Sequence, residues 1–201
     1  MNEVTMIGVD LAKSVFQAHG ATAAGEPVFR KKLSRGQFLK FMSDHPLCVV
    51  AMEACASSHY WGREIMKLGH DVRLIPPIYV KPFVKRQKND AADAEAIVIA
   101  ARQPEMRFVE PKSSEQQAQA VVFRARTRLV NQRTELMNAL RAVLYEFGYV
   151  APKGVQQLKR LQDIVEEPHS DLPALVREEC RDLIQQIAEK TKRIEAKTLQ
   201  A

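Results

Sequence analysis

The sequence predicts a mixed-sheet α/β domain followed by a region of long helices, and three observations predict it. Short β-branched and apolar segments alternate with turn signals over the first hundred residues. One of them, Leu47–Met52 (LCVVAM), is a continuous apolar run, as expected of a strand covered on both faces. From Ser113 to Phe147 there is neither Gly nor Pro, and apolar residues recur at helical spacing.

Val4–Val9 (VTMIGV) is the first predicted strand, Ser14–Ala18 the second, and Pro27–Leu33 the third, after a Gly25-Glu26 turn. The three read as an antiparallel meander. Ser34 is placed as the N-cap of a short helix through Phe38, Leu39 and Met42. Leu47–Met52 follows as a strand, then a helix over Ser58–Leu68 stopped by Gly69, then a strand at Val72–Ile75 closed by Pro76-Pro77. Asn89–Arg102 adds a helix, and the domain ends near Pro104–Pro111. The order β-β-β-α-β-α-β indicates a mixed sheet, and the division expected is 1–110 for this domain and 111–201 for the helical region.

In the second part Val122, Leu129, Leu136 and Val143 recur every seven residues, joined by Leu140 and Phe147, with Arg126 and Arg133 at the equivalent earlier positions. That is the a/d seam of a coiled coil. Gly148–Gly154 interrupts it, a short helix is expected over Val155–Val165, and Val176, Cys180, Leu183, Ile187 and Ile194 form a second seam. Such stripes must be buried against each other, against another chain, or both.

Composition narrows the function. With 201 residues, 46% hydrophobic and 27% charged, the chain can bury a core and is not of disordered composition. No stretch approaches the length of a membrane span, and the N-terminus MNEVTMIGVD lacks a basic signal region. Three cysteines without metal-ligand spacing argue for a reducing cytoplasm and against a zinc or disulfide framework. The net charge of +6 is unevenly placed. Residues 150–201 balance nine basic against nine acidic side chains, so the excess lies earlier. Between Glu115 and Glu135 there is no acid, while Arg124, Arg126, Arg128 and Arg133 fall in the gap, and Lys81, Lys85, Arg86 and Lys88 precede Asp90. Both groups are candidate phosphate contacts. Absence of any GxG among the eight glycines sets aside an actin-like kinase, which also starts on a strand aspartate.

Four carboxylates carry the chemistry. Asp10 ends the first apolar strand and Glu53 the LCVVAM strand, where ligand crevices of α/β sheets open. Asp90 and Asp93, three apart at a helix start, point the same way. Each alone has a simpler role as a turn cap, a surface acid or a partner of the helix dipole. Together, in this order, they suit a shared site for Mg²⁺, with Mn²⁺ as the alternative, of the kind that promotes phosphodiester displacement.

The segments GVDLAK (Gly8–Lys13), AMEAC (Ala51–Cys55) and KNDAADAEAI (Lys88–Ile97), followed by a long Arg-bearing helix, closely resemble the DEDD transposases of bacterial insertion sequences. This is the one-ten/eleven-eleven group, which includes pilin-gene invertases. The resemblance implies an RNase H-like (RuvC-like) catalytic domain with Asp10, Glu53, Asp90 and Asp93 as the DEDD tetrad. It also implies a dimerising coiled coil that helps hold DNA and a structured guide RNA, the bridge RNA, in the bacterial cytoplasm. A C-terminal domain bearing an attacking serine belongs to that family, and no segment up to Ala201 matches it. The expectation is therefore the N-terminal part of a transposase. Two other readings stand beside it: a RuvC-like junction nuclease, and a non-catalytic dimerising DNA- or RNA-binding fragment.

Overall fold

The computed structural model describes residues 3–84 and 90–200, with Asp90 and Ala91 described by their backbone alone. It divides into two compact units, Met1–Ser114 and Glu115–Ala201.

The first unit is built on strands β1 (Met6–Leu11), β2 (Val15–Ala21), β3 (Pro27–Ser34), β4 (Val49–Glu53) and β5 (Asp71–Ile75), in the spatial order β3-β2-β1-β4-β5. β1, β2 and β3 pair antiparallel, whereas β4 runs parallel to β1 and β5 parallel to β4. A meander extended by two parallel strands is the RNase H-like arrangement, so the expected fold class is the one observed. Short connections suffice for the meander, and each parallel pairing needs a helical crossover.

Both faces of the sheet are covered. Helices α1 (Arg35–Ser43) and α2 (Ser58–Lys67) bury Phe38, Met42, Trp61 and Ile65 against Ile7, Val9, Val50, Met52 and Phe16. Ser34 caps α1 reciprocally with Gln37: the Gln37 N–H donates to Ser34 Oγ at 3.4 Å, and the Ser34 N–H to Gln37 Oε1 at 3.0 Å. On the opposite face lies α4 (Asp90–Ala101), whose Ala96, Ile97, Ala100 and Ala101 pack with Ala51, Ile75 and Val80. Two covered faces explain why β4 reads as an unbroken apolar run rather than an alternating one. Gly8 makes the α4 packing possible, because a Cβ there would meet the Ala94 carbonyl oxygen at 2.5 Å and Val98 Cγ2 at 2.6 Å.

Some expectations move. β4 begins at Val49 and ends on Glu53, while Leu47 is 69% exposed outside the strand. Pro77 opens a short helix, α3 (Pro77–Val80), because proline suits the first helical turn. A 3₁₀ turn, Lys81–Phe83, follows it. Trp61 is core, as expected of the Ser58–Leu68 segment, whereas its neighbour Tyr60 is exposed. His59 and His70 are satisfied: His59 Nδ1 accepts the Lys112 N–H, and buried His70 bridges the Cys48 N–H and the Met42 carbonyl.

The second unit consists of α5 (Ser114–Glu146), α6 (Leu158–Glu166) and α7 (Ala174–Thr198). Met137, Leu140 and Leu144 of α5 meet Leu161 and Val165 of α6 and Cys180 and Ile187 of α7. Arg126 in the first half of α5 donates to Thr198 Oγ1 at the end of α7 at 2.8 Å, while the later α5 residues Leu140 and Leu144 share a cluster with the earlier α7 residues Cys180 and Ile187, so these two helices run antiparallel. The buried α5 positions are Leu129, Met137, Leu140 and Leu144, with Val122, Leu136 and Val143 only partly covered. Met137 and Leu144, one place beyond the heptad positions, are the buried residues there, in the cluster shared with α6 and α7. Phe147 lies past the last helical residue and is 41% exposed. The helix predicted over Val155–Val165 starts as a 3₁₀ turn, Val155–Gln157, before α6.

Replacing Gly8 by Ala puts a methyl group against backbone that cannot rotate away. The expected cost is about 1–3 kcal/mol, read as a lowered urea midpoint with little change in slope.

Candidate functional site

The parallel register pairs Val9 with Met52, so Asp10 and Glu53 are the next residues along adjacent strands at their carboxyl ends. Side chains alternate faces along a strand. Gly8 and Ala51 lie under α4, and two residues further on Asp10 and Glu53 take the same face. Asp93 stands in the first turn of α4, one turn before buried Ile97. Sequence positions more than eighty residues apart are thereby brought to one end of one face.

Electrostatics report the convergence. The Glu53 carboxyl is held above its ordinary range, first by burial and then by the negative charge of Asp93. The Cys55 thiol just beyond β4 is pushed up by burial, by Glu53 and by Asp10. Asp10, Glu53 and Asp93 therefore share one field of negative charge, and each of the three is only partly exposed. Among the described residues no three His, Cys, Asp or Glu side chains cluster tightly enough to hold a metal ion. The Asp90 side chain lies outside the described residues; its backbone opens α4 three residues before Asp93. Hard oxygen donors placed so that the charge of Asp93 bears on Glu53 are a donor set fitted to a divalent cation such as Mg²⁺, which offsets the repulsion.

Beside the carboxylates is an open pocket of about 360 Å³ lined by Leu11, Lys13, Arg35, Cys55 and Ser57. The Arg35 guanidinium is fixed over the Trp61 ring at 5.1 Å and the Phe16 ring at 5.5 Å, and it donates to the Lys13 carbonyl at 3.3 Å. Ser57 adopts φ 73°, a left-handed conformation uncommon outside glycine. Sequence reasoning singled out neither cation: Lys13 was legible only as part of GVDLAK, and Arg35 carries no motif at all.

The basic candidates are dispersed. Lys81 is exposed on the 3₁₀ turn, and Lys85, Arg86 and Lys88 lie outside the described residues. Arg124 and Arg128 are exposed on α5, Arg126 and Arg133 half-buried. Arg126 is engaged with Thr198, which gives it a part in joining α5 to α7.

Comparison with known proteins places these features. A family model described as transposase, of the DEDD type, matches residues 7–148. A putative transposase of Sinorhizobium fredii is 45% identical over 193 residues, covering 93% of this chain and 50% of that protein. A probable family 20 transposase of Pseudomonas aeruginosa is 47% identical, covering 90% of this chain and 54% of the other. The transposase for insertion sequence element IS1328 of Yersinia enterocolitica is 45% identical, with coverage of 88% and 53%. The chain thus spans about half the length of the curated relatives it matches. Among solved structures, Thermus thermophilus RuvC aligns with a TM-score of 0.40 at 12% identity, over 52% of this chain and 99% of that one.

The raised Glu53 pKa has a sign that can be checked. Its contribution to stability is present in acid and is lost as pH rises through the raised value, because the folded state then holds a disfavoured charge. In metal-free protein Glu53→Gln should melt at a higher temperature than wild type at neutral pH, with the gap closing in acid. Adding Mg²⁺ should raise the melting temperature of wild type and leave Glu53→Gln nearly unmoved.

Proposed function

The chain belongs to the DEDD transposase family, and from that premise we propose that it carries the metal-dependent strand-cleaving half of a DNA transposase. The observation that supports this most is the convergence of Asp10, Glu53 and Asp93 at the carboxyl ends of β1 and β4, where burial and Asp93 disfavour the charged form of Glu53. Asp10 at the centre of the sheet is assigned as the shared ligand, with Glu53 to one side and Asp90 and Asp93 from α4 to the other. When bound, Mg²⁺ or Mn²⁺ would supply positive charge to a phosphodiester undergoing in-line displacement. Rigid strands and a packed helix hold Asp10, Glu53 and Asp93 in place, so little reorganisation is needed when DNA arrives. Lys13 and Arg35 face the adjoining pocket, where they would grip the phosphates flanking the reacting one. Lys81, Lys85, Arg86 and Lys88, just before α4, are assigned the same task for the approaching strand.

The division of labour proposed is residues 1–110 for catalysis and 111–201 for dimerisation, through a coiled coil, and for nucleic-acid binding. Arg124, Arg126, Arg128 and Arg133 are assigned to phosphates of DNA or of a structured guide RNA. An acid-free stretch of helix bearing four arginines is the feature that supports this, since solvated helix faces ordinarily mix signs. A junction nuclease is the second reading, favoured by the tetrad standing within a fold unit of its own.

Two experiments test the proposal. Residues 1–201, and the same chain extended to the length of its relatives, are incubated with Mg²⁺ and branched or element-end DNA. Strand transfer by the extended chain, abolished by Asp10→Asn with a loss of at least ~10²-fold, is expected. Junction cutting by residues 1–201 alone, lost in Asp10→Asn, would favour the nuclease. Cleavage unchanged by Asp10→Asn would overturn both. In a binding titration, the combined Arg124→Ala, Arg128→Ala and Arg133→Ala variant should lower the slope of log affinity against log salt by roughly two to three. An unaltered slope would remove the arginines from the interface.

A further inference from the structure

The second unit has a concave surface that neither the carboxylate site nor the arginine ladder accounts for. Two adjoining pockets, of about 430 and 290 Å³, share Asn138, Arg141 and Lys153 and form one groove between α5 and the segment that leaves it. Arg133 stands at one end, Tyr145 and Tyr149 at the other. The return of the chain that makes this groove is built by a helix stop. Gly148 has φ 82°, its N–H donates to the Tyr145 carbonyl at 3.0 Å, and the Tyr149 N–H donates to the Leu144 carbonyl at 3.0 Å. This is a Schellman cap, closed by Tyr149 packing on the cluster that contains Leu144. The groove is thus formed by capped backbone, with both its walls set by the same core.

Its chemistry is selective. Arg133, Arg141 and Lys153 bring three positive charges to one cleft, and no carboxylate lines it. Among the described residues none of the three takes part in an ion pair. Asn138 Oδ1 accepts from Arg141, orienting the guanidinium. Tyr145, on the same wall, is 68% exposed and lies outside the apolar cluster that joins the helices of this unit. Like charges gathered without counter-charge repel, and an anion offsets that repulsion. A flat exposed ring beside them adds a surface for a planar, uncharged group. Phosphodiesters alternating with unpaired bases present both features, whereas a duplex hides its base faces.

We propose that this groove binds single-stranded nucleic acid, with Arg133, Arg141 and Lys153 holding the backbone and Tyr145 stacking a base. The inference rests on the nucleic-acid role proposed above and specifies where, and in which strand form, the helical unit makes contact. Arg133 belongs to both sets; Arg141, Lys153, Asn138 and Tyr145 are new.

The test is fluorescence anisotropy of labelled oligouridine and oligothymidine of about twelve nucleotides, and of a duplex of equal length, with the 201-residue chain in EDTA. EDTA removes divalent metal, so the binding read does not require a metal held at the carboxylate site. Expected are tighter binding of single strands than of duplex and a roughly tenfold loss in Tyr145→Ala that Tyr145→Phe restores. Lys153→Ala should lower the salt slope by about one. Stronger binding of the uridine strand would identify RNA as the occupant, of the thymidine strand DNA. Equal affinity for duplex, or Tyr145→Ala binding like wild type while its melting temperature is unchanged, would overturn the proposal. Loss of cleavage in Asp10→Asn with no groove binding would sink this inference and leave the catalytic one standing.

Discussion

Helix α4 lies on the sheet at a separation that only a residue without a side chain permits. At Gly8 an added Cβ would fall 2.5 Å from the Ala94 carbonyl oxygen, well inside any van der Waals contact. The helix answers in kind, presenting Ala94, Ala96, Ala100 and Ala101 on its buried side. Small residues on both partners let backbone approach backbone, and the depth of that approach sets where the first turn of α4 sits over β1 and β4. Asp93 is in that turn. A carboxylate that would otherwise stand clear of the sheet is thereby placed where its charge is felt by Glu53.

The cost of the arrangement is electrostatic, and the fold meets it with packing. Burial and a neighbouring acid both disfavour ionised Glu53, and the same field reaches the Cys55 thiol. Hydrophobic contact on both faces of a central sheet supplies the free energy that tolerates such a cluster, since each buried large aliphatic side chain contributes roughly 1.5–3 kcal/mol. Stability sacrificed at one end of a rigid scaffold is a common signature of a binding site for the opposite charge. Arg30 adds a second tie, bridging β3 to α4 through Glu95 at 2.9 Å, although so exposed a pair contributes little energy. The helical unit shows the complementary pattern, with cations gathered on α5 and no acid among them between Glu115 and Glu135.

Much of this was legible beforehand. Five strands, the Ser34 cap, the helices flanking β4 and the long α5 all follow from local pattern, because turn residues, caps and apolar periodicity act over a few positions. The four acids were legible because each sits at a strand end or helix start. The displaced details have specific causes. Leu47 is as apolar as the strand it precedes, so composition alone could not exclude it. Pro76-Pro77 reads as a stop, yet the second proline starts a helix. The seam of α5 was read on a seven-residue repeat, whereas packing with α6 and α7 buries Met137 and Leu144 in place of the neighbouring heptad positions.

What the sequence determined by itself is the list of elements and the kinds of side chain at their ends, since secondary structure and capping are local interactions. Tertiary structure alone decided which ends meet. The β1–β4 register sets Asp10 beside Glu53, the bare Gly8 surface sets α4 near both, and Arg35 reaches the pocket shared with Leu11 and Cys55 from a helix with no motif. Proximity between residues far apart in the chain is a property of packing, and packing depends on the volumes and faces of all the elements at once.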